Sequence, residues 1–275
     1  MIAIYICIPV VALLFLWLFL IAPGCSCGME EFKSLKYAHR GLHGNVTGEG
    51  FAAENSLTAF RRAIEAGYGI EFDVQVTKDG VAVVFHDATL TRICGVSGKV
   101  KDMAYAELAE FSLSGTEDKI PTLREVLELV SGKVPLLIEL KETGLDHTIS
   151  EKTAELLRDY NGKFIIESFS PFAFGAIKRE FPKAQCGFIA DKHTDYEKTR
   201  TLIFRLIQRS LLNVVSRPAF ISLNKEKPRL FPIPIIKKLF RTPTLAWTIK
   251  SEEEEVTAYK NGFSGIIFEG YLPKD

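Results

Sequence analysis

Eight short apolar runs rich in β-branched residues, separated by helix-like segments, predict an α/β chain closed as a (β/α)8 TIM barrel. Two further observations refine that reading. The stretch 74–85, VQVTKDGVAVVF, turns back on itself around Asp79-Gly80. So short a loop cannot join parallel strands, so a hairpin excursion is expected after the second barrel strand. At the other extreme, 1–23 carries no charged side chain and is long enough to cross a bilayer, so one N-terminal transmembrane helix is expected to precede the barrel.

The elements follow in order. Segment 1–23 lacks the basic start of a cleaved signal peptide, so it reads as an uncleaved anchor, bent at Pro9. Segment 24–36 reads as a linker and 37–275 as the barrel domain. Strand candidates lie at 37–39, 70–76, 136–140, 164–167, 187–190, 220–223, 245–249 and 265–268. A helix at 56–66 is stopped by Gly67. Another at 122–130 opens with the capping pair Thr122 and Glu125 and stops at Gly132. A third runs over 148–159, and Ser170-Pro171 starts one that ends at Pro182. Ser251 caps the last, where Glu252 to Glu255 suit the positive end of the helix dipole. No glycine-rich first turn supports an open doubly wound sheet. The five cysteines form no disulfide framework, and Ala22-Pro23-Gly24-Cys25 is a poor lipidation site.

Charged residues at the ends of buried strands require a reason. Glu71 and Asp73 are two apart on one strand and so share a face, and Glu139 ends the next barrel strand in the same way. Three carboxylates converging on one rim repel each other unless a hard cation with oxygen ligands, Mg2+ or Ca2+, sits between them. A plain salt-bridge network with Arg40 and Lys141 is the competing explanation. His39 ends the first strand and His86 ends the hairpin arm. A two-residue turn at Asp79-Gly80 sets His86 opposite Asp73, give or take a residue. Two imidazoles flanking a phosphodiester can serve as acid and base. Arg40 and Lys141 suit phosphate oxygens. His43, His147 and His193 sit in loop-like contexts without ligand spacing.

Ala38-His39-Arg40-Gly41, Glu54-Asn55, Glu71-Phe72-Asp73, His86-Asp87 and Ile138-Glu139-Leu140-Lys141, in this order and spacing, resemble the glycerophosphodiester phosphodiesterase family. The resemblance implies a barrel enzyme that hydrolyses glycerophosphodiesters to glycerol 3-phosphate and an alcohol. It implies His39 and His86 as the acid/base pair, Glu71, Asp73 and Glu139 as ligands of the divalent metal, and Arg40 and Lys141 on the phosphate. It also places Glu54 and Asn55 at the border of the metal and phosphate sites. The chain departs from the family in having Ala53 before Glu54-Asn55, and Phe268-Glu269 where Thr-Asp is usual. Trp247 is a candidate for the substrate pocket or for barrel packing. A lysophospholipid substrate is a close alternative. A catalytically silent barrel acting as a binding module is a distant one, since none of the matching residues is lost.

Lys and Arg total 34 and Asp and Glu 34, so nothing draws the chain as a whole to nucleic acid. The balance hides twelve Lys and Arg residues against one acid, Glu226, within 198–250. An amphipathic helix at 202–215 would carry part of that charge. With the expected anchor, the window suggests a surface held against anionic lipid, and a single-pass cell-membrane protein whose catalytic domain faces the cytoplasm. The expected partners are thus a small diester or lysolipid and the membrane, without nucleic acid.

Overall fold

The computed structural model describes residues 2–142, 145–191 and 210–274. Nine strands form one sheet: β1 (Lys36–His39), β2 (Gly69–Val76), β3 (Ala82–Val84), β4 (Leu136–Leu140), β5 (Phe164–Ser168), β6 (Cys186–Ala190), β7 (Phe220–Asn224), β8 (Thr244–Ile249) and β9 (Gly265–Phe268). Their order is β1-β9-β8-β7-β6-β5-β4-β2-β3, and pairing of β1 with β2 closes the ring. All neighbours pair in parallel except β2 and β3, so eight parallel strands make the barrel and β3 is the antiparallel arm.

The barrel interior is set by a period of two along each strand. Tyr37, Leu137, Ile165, Phe220, Leu245 and Ile267 form an inner apolar layer with Met29 and Phe32 of the preceding segment. The residue two further on in each strand points into the open end: His39 on β1, Glu139 on β4, Glu167 on β5 and Trp247 on β8 line the cavity there. The outer strand faces pack against the helices in a second, larger cluster that includes Phe60, Phe72, Ile138, Ile166, Phe188 and Ile221. Helix Leu57–Glu65 begins where Ser56 accepts from the Ala59 amide, and Leu123–Val130 begins with the reciprocal Thr122/Glu125 cap.

The hairpin forms, but its loop is longer by one residue than the two-residue turn expected. The Thr77 amide bonds Val81 O and the Gly80 amide bonds Thr77 O, which leaves Lys78, Asp79 and Gly80 as the loop. Gly80 takes a φ of 82°, the left-handed position that a three-residue hairpin needs. Val74 therefore pairs with Val84, and the Phe85 amide bonds Asp73 O. His86 is displaced by one residue from the position opposite Asp73. The excursion is also larger than one hairpin. Val83, Phe85, Leu90, Ile93, Val100, Leu108, Leu113 and Ile120 build a separate small core.

The N-terminal expectation is corrected. Helix Ile2–Ile21 forms, with Pro9 inside it, but its last turns belong to the barrel. Trp17 stacks on Phe231 at 5.9 Å, and Ile21 is fully buried. The Asn213 side-chain amide donates to Ile21 O at 2.9 Å, and Arg217 donates to Phe19 O and Ala22 O while covering the Phe19 ring. Among the described residues, no helix is long and apolar enough to cross a membrane. The transmembrane anchor over 1–23 and the single-pass membrane location with a cytoplasmic domain are therefore set aside. Four basic residues of the window 198–250 find partners elsewhere in the chain. Lys225 pairs with Glu254, Lys227 with Asp191 and Lys250 with Glu269, while Arg217 is used on the N-terminal helix. His193 and most of the helix expected at 202–215 lie outside the described residues.

Candidate active site

A cavity of about 610 Å³ opens at the C-terminal ends of the barrel strands. His39, Arg40, Glu71, His86, Glu139, Lys141 and Trp247 all line it, so most residues singled out from the sequence meet at one place. Asn55 and Glu54 join them from the loop after β1. Asn55 donates to Asp73 Oδ2 at 2.9 Å, and Glu54 receives Arg40 Nη1 at 2.6 Å.

Strand register explains the convergence. His39 lies beside Glu71 on the neighbouring strand, Asp73 beside Glu139, and Glu139 beside Glu167. Ligand atoms of Glu71, Asp73 and Glu139 lie within 4.8 Å of one another, and all three residues are buried. Burial, reinforced by Asp73 and Glu139, pushes the Glu71 carboxyl well above its usual range. Burial lifts Glu139 to about 7, although Lys141 opposes it. Burial also works against the Asp73 carboxylate, yet Lys141 Nζ at 2.8 Å and Arg40 at 3.5 Å hold it far below the usual range. Two carboxyls whose ionisation burial resists, beside a third held ionised by Lys141 and Arg40, describe a site short of positive charge. Asn55 Oδ1 is buried without a hydrogen-bond partner at the same place. A divalent cation fits these donors and answers both deficits, as hard oxygen ligands of this kind require.

Each histidine is held by a carboxylate. Glu269 Oε2 stands 2.7 Å from Nδ1 of His39, and Asp87 Oδ1 stands 2.6 Å from Nδ1 of His86. A carboxylate only accepts, so Nδ1 carries the proton in both rings and the Nε2 lone pair is left for chemistry. Burial lowers the pKa of both imidazoles, with Glu269 opposing it at His39 and Asp73 opposing it at His86. The hydrogen bond from His39 holds the Glu269 carboxyl down at about 2. Lys141 is kept charged against its burial by Asp73 and Glu139.

Four participants were not identified from the sequence. Glu269 supports His39 from the end of the last strand. Glu167 continues the row of carboxylates; burial lifts it to about 8, and Ser222 donates to it. Its place at a strand end was the signal that marked Glu139. Gln75 Nε2 bonds the carbonyls of Phe85 and Asp87 and so fixes the arm that carries His86. Arg92 reaches Glu54 with both Nη atoms at 2.8 Å and Asp87 with Nε at 2.6 Å. No spacing in the sequence points to either of the last two.

The sequence model of the glycerophosphoryl diester phosphodiesterase family matches residues 39–269. A glycerophosphodiester phosphodiesterase of Caldanaerobacter subterraneus is 33% identical over 257 residues, covering 86% of this chain and 93% of its own. A lysophospholipase D of Rattus norvegicus is 33% identical over 144 residues, covering 48% of this chain and 43% of its own. Among solved structures, a glycerophosphodiester phosphodiesterase of Thermotoga maritima superposes with a TM-score of 0.63 at 27% identity, over 86% of this chain and 94% of its own. An Oleispira antarctica phosphodiesterase, solved with the product sn-glycerol-3-phosphate, gives 0.68 at 24% identity, over 86% and 94%.

Proposed function

This chain belongs to the glycerophosphoryl diester phosphodiesterase family, and from that premise we propose that the cavity cleaves glycerophosphodiesters with His39 and His86 as its acid/base pair. The protein is a phosphoric diester hydrolase that depends on a divalent metal and yields glycerol 3-phosphate and an alcohol. The roles of the individual residues are our own reading. The observation that carries it is the row Glu71, Asp73 and Glu139 set between two carboxylate-held imidazoles in one cavity.

Glu71, Asp73 and Glu139 would hold the metal, Mg2+ or Ca2+, with Asn55 at its border. A cation held there would supply positive charge against the negative charge that develops on the phosphoryl oxygens. Arg40 and Lys141 bind the remaining phosphate oxygens. Arg40 is aimed by Glu54 and by its own backbone amide, which donates to Glu71 Oε2 at 2.9 Å. One imidazole Nε2 takes the proton of the attacking hydroxyl. The other, protonated, delivers a proton to the leaving alkoxide, and the two exchange states over a turnover. The attacking hydroxyl belongs either to water or to the substrate's glycerol. Trp247 packs edge-on against Phe169 at 6.3 Å on the cavity wall, where the organic part of the diester would lie.

Glycerophosphocholine, glycerophosphoethanolamine, glycerophosphoglycerol and lysophosphatidylcholine, each assayed with Mg2+, Ca2+ or Mn2+, test the reading. Release of glycerol 3-phosphate from the first three supports it. Turnover of the lysolipid alone would move the assignment to a lysophospholipase D activity. No turnover of any of them, with the protein folded, would leave a binding module.

A further inference from the structure

The turn after β1 places a second histidine beside the first. Gly41 takes a φ of 81°, and a Cβ there would meet Ala59 and Phe60 at 2.9 Å, so the chain passes tightly over helix Leu57–Glu65. The His43 amide then bonds Gly41 O, and Gly44 pairs with Ala52. His43 is thereby fixed near His39 and Glu269. Ligand atoms of these three residues lie within 4.8 Å of one another. Nε2 of His43 is buried and has no hydrogen-bond partner. A buried ring nitrogen left unpaired is costly, and the catalytic arrangement described above makes no use of it.

The donor chemistry differs from that of the carboxylate row. Two imidazoles and one carboxylate are borderline donors and favour Zn2+ or its neighbours, with a fourth position open to water. Ligand atoms around a tetrahedral ion with bonds of about 2.1 Å stand about 3.4 Å apart. No pair of the three therefore needs to close by more than about 1.4 Å. The field at His43 is mixed. Glu269 and Glu54 favour a cation there, while Arg40 and Lys250 oppose it, and Lys250 is a well-exposed side chain 3.5 Å from Glu269 Oε1.

We propose that His39, His43 and Glu269 form a second metal site, separate from the carboxylate row, that takes a Zn2+-class ion and switches the enzyme off. The site itself rests on geometry alone; the switch rests on the proposed role of His39. A neutral imidazole ligated through one nitrogen keeps its proton on the other and has no lone pair left to act as a base. Ligation also draws Glu269 away from its hydrogen bond with His39. An ion at this position therefore removes an acid/base partner without displacing the ion held by Glu71, Asp73 and Glu139.

Two measurements on the full chain test this. In the first, diester turnover at saturating Mg2+ is followed while Zn2+ is added. Wild type should be inhibited, and chelation followed by Mg2+ should restore it. His43→Gln and His43→Ala should keep basal turnover and need about 10-fold more Zn2+ or beyond, the low end of what lost support costs a metal site. Equal Zn2+ sensitivity in wild type and both His43 variants overturns the proposal. In the second, Co2+ serves as a coloured probe in Glu71→Gln, where the carboxylate row is disabled. Intense visible bands of a four-coordinate nitrogen-containing site should appear, and should be lost in the Glu71→Gln/His43→Gln double variant. Absence of those bands in Glu71→Gln also overturns it. Bands in Glu71→Gln, together with a wild-type protein that hydrolyses none of the diesters, would leave the site standing and defeat the functional reading.

Discussion

Glu269 Oε2 and His39 Nδ1 stand 2.7 Å apart across 230 residues of sequence, and they tie the last barrel strand to the first. The contact sets the His39 tautomer and favours its protonated form. In Glu269→Ala that ring is free to rotate and has lost a neighbouring anion. Turnover should fall about 10-fold or more, a part of the whole contribution of a general acid or base. The limb of the pH–rate profile that His39 sets should move to lower pH, because the imidazolium loses a stabilising charge. A profile displaced upward, or not at all, would contradict the pairing.

Removal of either imidazole is the harsher change. His39→Ala and His86→Ala should each lower kcat by about 100-fold or more. Both act in one transition state, so the double variant should fall far short of the product of the single losses. Circular dichroism should show the fold intact, since neither ring belongs to an apolar cluster. Near wild-type kcat in either single variant would remove that residue from the mechanism.

The carboxylate row makes a prediction about stability as well as rate. EDTA should abolish turnover and a divalent cation should restore it. Glu139 and Glu142 are lifted to about 7, Glu167 to about 8, and burial raises Glu71 well above its usual range. A carboxyl whose folded pKa is raised stabilises the fold below its unfolded value and loses that contribution as pH rises through the folded value. The half-buried histidines His39, His43 and His86 are shifted down, so they act in the opposite sense, but only below about pH 6.5. Between pH 6.5 and 8.5 the metal-free protein should therefore melt at progressively lower temperature. Added Mg2+ or Ca2+ should flatten that slope, and Glu71→Gln should reduce it without metal. A metal-free melting temperature that rises over this range would show that these carboxyls are not buried as described.

Much of this site was legible because strand periodicity is strict. Glu71 and Asp73 had to share a face, and Glu139 had to join them from the neighbouring strand. The hairpin delivered His86 even though the loop proved one residue longer, because Gly80 allowed a left-handed turn that composition alone did not choose. Arg92 and Gln75 were not legible: their partners are set by how the excursion packs on the barrel, and no local pattern encodes that. Glu269 was visible only as a departure at the end of a strand. The N-terminal helix shows the opposite failure. Its apolarity was plain, but the docking of Trp17, Leu18 and Ile21 onto the barrel depends on Phe231, Asn213 and Arg217, about 200 residues away.

Arg92 gives the sharpest test of how the excursion serves the barrel. Its guanidinium spans Glu54, which aims Arg40, and Asp87, which holds His86. Among the described residues its hydrogen bonds go to these two carboxylates, and it is about half exposed, with a side-chain accessibility of 47%. Exposed ion pairs add little to stability, so Arg92→Ala should stay within about 1 kcal/mol of the parent. Activity should respond differently. Without the fork, Glu54 and Asp87 repel each other, and Arg40 and His86 lose their fixed positions. Turnover should fall about 10-fold or more, on the scale of losing support for a positioned catalytic group. Arg92→Lys should rescue poorly, because a single ammonium cannot bond both carboxylates in the same planar arrangement. Loss of the cation should raise the His86 pKa and move the limb that His86 sets to higher pH, opposite to the shift expected for Glu269→Ala. Matching shifts in the two variants would mean that the profile reports one shared group, and the assignment of a separate carboxylate support to each histidine would fail.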